Sequence, residues 1–149
     1  MIIRALKTAG ALAGLTMATA LVALPASAGS TSPEGTWRIY HPVTSEPFMI
    51  LKIEENNGEI EGHIVKLADG PEDAICWSCI GDLKNKPLAG MKILEGGKFD
   101  GKGWNGVLMR PATGMVAPAY FEVEPDGNAI HMAAGRGPLR VDQRWERIE

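Results

Sequence analysis

Residues 76–90 read CWSCIGDLKNKPLAG, and no regular element fits them. The stretch holds both cysteines, Cys76 and Cys79, then Ile80-Gly81, then a polar run closed by Pro87. Segments of alternating apolar and polar residues lie on both sides of it. Counting those segments decides the fold: three strands precede the stretch and five follow.

Upstream, Thr36 to Tyr40 places Trp37 and Ile39 on one face, the period-2 mark of a half-buried strand. Phe48 to Glu55 follows, with Met49, Leu51 and Ile53 opposite Lys52 and Glu54. Asn56-Asn57-Gly58 is a hairpin signal, because Asn and Gly tolerate the positive φ of tight turns. Glu59 to Leu67 is the third strand, with Ile60, Gly62 and Ile64 on one face. A loop over 68–90 then exceeds the length usual in a compact domain; one helical turn fits within 82–86.

Downstream, Met91 to Glu95 reads as a short strand and Gly96 to Gly103, with four glycines, as a turn. Trp104 to Arg110 is a strand and Pro111 to Gly114 a turn. Ala119, Phe121 and Val123 alternate with Tyr120, Glu122 and Glu124; Pro118 belongs at this strand's start, at an edge or at a bulge. Ala129 to Ala134 and Leu139 to Ile148 complete the set. Eight short strands joined mostly by tight turns, with no long amphipathic helix after residue 28, predict an all-β fold. Sequential hairpins favour antiparallel neighbours. Closing eight strands removes the exposed edges and gives an up-and-down barrel with room for one small ligand.

The first 28 residues lie outside this pattern. Arg4 and Lys7 precede an uncharged run, Ala9 to Leu24, and Ala26-Ser27-Ala28 has the small-x-small form of a signal-peptidase site. Cleavage after Ala28 is expected, leaving 29–149 as one exported domain, periplasmic or secreted. The run is too rich in Ala and Gly for a membrane span, so no integral membrane protein is expected. Removing Arg4 and Lys7 with no acid moves the formal charge from −3 to −5. An acidic chain without a basic cluster does not suit nucleic acid, whose phosphates demand concentrated Lys and Arg.

Export places Cys76 and Cys79 where disulfides persist. A bridge over so short a loop is worth only about 2 kcal/mol by chain entropy, enough to pin a loop locally. A thiol-redox reading of Cys-Trp-Ser-Cys wants a βαβ context and a helix N-terminus, which the pattern does not supply. The three histidines, His41, His63 and His131, lack ligand spacing for zinc. Glu54-Glu55 face opposite ways; Glu122 and Glu124 share the outward face. No catalytic residue, metal site or cofactor is expected.

Gly35-Thr36-Trp37 resembles the opening Gly-x-Trp of lipocalins and other calycins. That likeness implies that Trp37 plugs one barrel end with a basic residue of the last strand across it. Arg144 and Arg147 are the candidates; Arg147, on the face of Trp145, is the one carried forward. A broader resemblance spans SPEGTWRIY, the Asn-Gly turn, GHIVKL, the Cys-x-x-Cys with GDLKNKPLAG, MKIL, GKGWNG, the Pro-x-x-Gly turn and QRWERI. Together these resemble a family of small exported bacterial proteins known only as domain-of-unknown-function family 2147. The likeness implies a lipocalin-like barrel in the bacterial envelope. The sequence departs from the family pattern after Gly114 and around 135–141.

The inward residues then become a candidate pocket lining: Ile39, Met49, Leu51, Ile53, Ile64, Met91, Leu108, Phe121 and Met132. Methionine suits permissive apolar surfaces, and Gly62 and Gly106 are expected to leave space. The leading expectation is a binding protein for a small apolar or amphipathic molecule. Its alternative is an interaction module with a filled barrel, meeting an envelope partner through 76–90.

Overall fold

The computed structural model describes residues 31–149. The leader, its cleavage and the export they imply lie outside the described residues. Eight antiparallel strands close into a barrel in chain order. They are β1 (Gly35–Tyr40), β2 (Pro47–Asn56), β3 (Glu59–Leu67), β4 (Lys92–Phe99), β5 (Trp104–Arg110), β6 (Met115–Val123), β7 (Ala129–Ala134) and β8 (Val141–Arg147). β1 closes on β8 through Trp37–Arg147 and Arg38–Glu146. The all-β, eight-stranded up-and-down barrel read from the sequence is the fold observed.

The topology gives the barrel two unlike ends. At one, the chain turns through 57–58, 100–103 and 124–128, and both ends of the described chain meet there: Thr36 N–H donates to Glu149 O at 2.8 Å. At the other, the connections are 41–46, 68–91, 111–114 and 135–140. The first is called here the closed end, the second the mouth.

β4 runs four residues beyond the expected strand, through Gly96-Gly97 to Phe99. Its register with β5 shifts between Glu95 and Lys98, so the glycines form a bulge rather than a turn. β6 begins at Met115, so Pro118 lies inside the strand rather than at its start. Gly135 N–H donates to Pro118 O at 2.9 Å. The reciprocal bond, which needs an N–H at 118, is absent just where β7 ends, so proline costs the ladder little. Leu139 leaves the last strand for a 3-10 turn over Gly137–Leu139.

The core is continuous through the barrel. Trp37, Leu51, Ile53, Ile60, Leu94, Phe121, Ile130 and Trp145 are fully buried, and Phe121 meets Trp145 with ring centroids 5.5 Å apart. Gly62 and Gly106 do not leave space, contrary to expectation. A Cβ on Gly62 would lie 2.9 Å from Leu94 Cβ and 3.3 Å from Leu51 Cδ2. One on Gly106 would lie 3.0 Å from Glu95 O. Their missing side chains let neighbouring groups approach, so the volume is already used.

Candidate functional site

The closed end is a plug. Trp37 is fully buried, and its Nε1–H donates to Pro33 O at 2.8 Å. Arg147 lies over the ring, Cζ 4.2 Å from its centroid, and donates to the carbonyls of Ser32, Glu34 and Gly127. Burial pushes the Arg147 guanidinium below its ordinary range, yet it holds three carbonyl partners. Gly35, at φ 140°, leaves room for that guanidinium, which accounts for the glycine two residues before Trp37. Arg144 points outward instead and makes a two-pronged pair with Glu124, at 2.7 and 2.9 Å. That hydrogen bonding holds the Glu124 carboxyl below its usual range.

The mouth is built differently. The long connection is ordered by its own backbone. Cys76 N–H donates to Lys86 O, Asn85 N–H to Cys76 O and Leu88 N–H to Ala74 O, at 2.8–2.9 Å. These bonds form a narrow hairpin with an Ile75–Pro87 bridge, and the Cys76–Cys79 disulfide pins its tip. The expected helical turn is a 3-10 turn at Gly81–Leu83. Ser78 Oγ donates to Pro111 O at 2.7 Å, and Cys76 Sγ lies 3.3 Å from the same oxygen. Cys76, Cys79 and Leu88 join the barrel core. The connection is thus folded against the β5–β6 turn rather than trailing.

Both cysteines are buried, unlike the partly exposed, electropositive setting of reactive thiols. Substituting both Cys76 and Cys79 with serine is expected to cost about 2 kcal/mol from loop entropy. A thermal melt checks this; reductant should lower the wild-type midpoint and leave the variant's unchanged. Among the described residues no three His, Cys, Asp or Glu side chains gather as a metal site.

Of the nine expected lining residues, eight are buried and Leu108 is half-buried. Leu51, Ile53, Ile64 and Phe121 are at most 1% exposed, whereas Ile39, Met49, Met91 and Met132 keep 4–6%. Gln143 is a polar group that sequence reasoning missed as a site residue, although period-2 counting puts it on the face of Trp145. Its Oε1 accepts from Trp145 Nε1 at 3.0 Å, and its Nε2 donates to Tyr40 O at 2.8 Å. Met132 also borders an outer cleft of about 370 Å³ whose other side chains include His131, Arg140, Asp142 and Arg144. Met91 borders another, of about 480 Å³, between β4 and the Leu83–Gly90 leg of the long connection.

A closed eight-stranded barrel with a Trp–Arg plug at one end and a folded connection at the other defines a lipocalin-like protein. The chain belongs to the family described as uncharacterized protein conserved in bacteria, domain of unknown function 2147, whose pattern matches residues 35–147. Among solved structures it is similar to protein HP1028 of Helicobacter pylori, described as belonging to the lipocalin family. The TM-score is 0.70 at 13% identity, over 80% of this chain and 85% of that one. No curated protein sequence matches.

Proposed function

We propose that this is an exported envelope protein that binds a small apolar or amphipathic molecule in the mouth half of its barrel. One observation carries the reading: three interior methionines, Met49, Met91 and Met132, are packed without being fully sealed. Leu51, Ile53, Ile64 and Phe121 keep at most 1% exposure, while Ile39, Met49, Met91, Met132 and Ala134 retain 4–9%. Three of these five are methionines, whose flexible thioethers re-pack around irregular apolar shapes. Half-buried Phe48, Leu67 and Leu108 extend the same lining, and Gln143 offers a polar contact for one end of an amphipathic guest. The lipocalin-like fold and the leader sequence support the same reading.

The fully buried interior of Leu51, Ile53, Ile64, Phe121 and Trp145 favours a second reading, an interaction module whose barrel is filled throughout. Native mass spectrometry and solvent extraction of protein purified from its own cells separate the two. The expected result is a reproducible apolar adduct that is lost when Met49 and Met132 are both replaced by tryptophan in a variant that still melts cooperatively. Protein that carries no adduct and takes up no amphipathic probe leaves the filled-barrel reading.

A further inference from the structure

The most exposed apolar side chains of this barrel gather at one end, although Val65 and Val107, at 46% and 39%, lie on the wall. Each of the four mouth connections, or the strand start beside it, carries at least one. Val43 is 84% exposed in the β1–β2 connection, and Trp77 and Ile80 are 73% and 79% exposed on the disulfide hairpin. Met115 and Val116, at 55% and 62%, follow the β5–β6 turn, and Leu139, at 75%, tips the β7–β8 turn. At the closed end the exposed exceptions are Phe99, against Trp104 at 5.3 Å, and Ile148.

The mouth also carries most of the unpaired charge. Lys66, Lys84, Lys86, Arg110 and Arg136 have no carboxylate within 4 Å among the described residues, and all five sit at the mouth. The cations Arg38, Lys52, Lys98, Lys102 and Arg144 of the wall and closed end are ion-paired, as are Lys92 and Arg140 nearer the mouth, while Arg147 in the plug meets carbonyls only. The mouth also carries five acids outside any ion pair, Glu46, Asp69, Glu72, Asp73 and Asp82. Its unpaired charges therefore balance.

We infer that the mouth end docks on a zwitterionic phospholipid surface. Apolar tips from four separate connections form a ring, not one face. A rigid protein partner must match each tip with a pocket, whereas a lipid interface deforms around all of them. Tryptophan at a tip suits the headgroup level, where its ring is buried and its N–H stays wet. Balanced unpaired cations and acids complement a layer whose headgroups present both phosphate and ammonium. Such docking would bring the Met-lined mouth against lipid, but it stands on surface features and does not require an interior guest.

Flotation with phosphatidylcholine–phosphatidylethanolamine vesicles tests the inference, with and without added phosphatidylglycerol. Wild type should float with the zwitterionic vesicles. The triple variant Val43→Asp, Ile80→Asp, Leu139→Asp should bind about tenfold more weakly or worse, since each tip loses its apolar burial. Phe99→Asp, at the closed end, should bind like wild type. All chains share the same N-terminus, so any contribution of residues 1–28 is common to them. Trp77 supplies a second readout, because the other three tryptophans are buried: brominated lipid should quench the wild type and spare Trp77→Phe. Absence of flotation, flotation only with phosphatidylglycerol, or equal loss in the triple and Phe99→Asp variants would overturn the inference. An extracted adduct without vesicle binding would leave the ligand proposal standing and sink this one.

Discussion

Trp37→Ala is expected to destabilise the protein by about 3–5 kcal/mol, the range for emptying a large aromatic site in a core. Set against a total stability of about 5–15 kcal/mol, that is enough to leave the variant partly unfolded near physiological temperature. Three losses combine. The ring is fully buried, so its removal opens a cavity at the closed end. Pro33 O loses the indole N–H that it accepts. Arg147 loses the ring face beneath its guanidinium, a contact worth about 0.5–2 kcal/mol. Arg147→Met should cost less than Trp37→Ala, since it keeps the volume over the ring while orphaning three carbonyls. A double-mutant cycle should return a coupling between the two of about 1 kcal/mol. Trp77→Ala is the internal control: the same residue type, exposed at the mouth, should stay within about 0.5 kcal/mol of wild type. Denaturant unfolding followed by circular dichroism checks all four. A Trp37→Ala variant as stable as Trp77→Ala would mean that the plug does not hold the barrel.

Much of this fold was legible because one face of each strand is buried and the other is wet. That asymmetry writes period-2 alternation into the sequence, and it located β3, β5 and β7 at their observed bounds. The misreadings fall where alternation breaks. Gly96-Gly97 looked like a turn because glycine is the common turn residue, yet here it forms a bulge inside β4. A second register shift, opposite Gly62-His63 in β3, leaves Ile93 as an extra residue and buries both Ile93 and Leu94, where strict alternation had room for only one. Met109 is buried although its position alternates with Leu108, which local periodicity does not report.

The candidate site was less legible, for a physical reason. Its closed end rests on a local motif, Gly-x-Trp, and on an arginine one strand away, so counting faces could choose Arg147 over Arg144. The mouth depends on connections far apart in sequence. Ser78 bonds Pro111 across 33 positions, and nothing in the residues between them signals that contact. Val43, Ile80 and Leu139 read singly as stray surface hydrophobics; only the barrel's topology brings them to one end.

Gly97→Val should be strongly destabilising, at or above the upper end of the roughly 1–3 kcal/mol usual for overpacking. A Cβ at 97 would overlap Ile60 Cγ1 and lie 2.9 Å from its Cδ1. Ile60 is itself fully buried and paired with Gly97 across the β3–β4 ladder, so neither strand retreats without shifting the bulge. The side chain that fills the glycine's space is identifiable, which makes the cause separable from a general loss of backbone freedom. Ile60→Ala alone should cost about 2–5 kcal/mol through its cavity. Combined with Gly97→Val it should cost no more than either change does singly, because the valine occupies the volume the isoleucine vacates. Additive losses in the double variant, measured by the same denaturant titration, would show that β4 needs glycine at 97 for its backbone and not for Ile60.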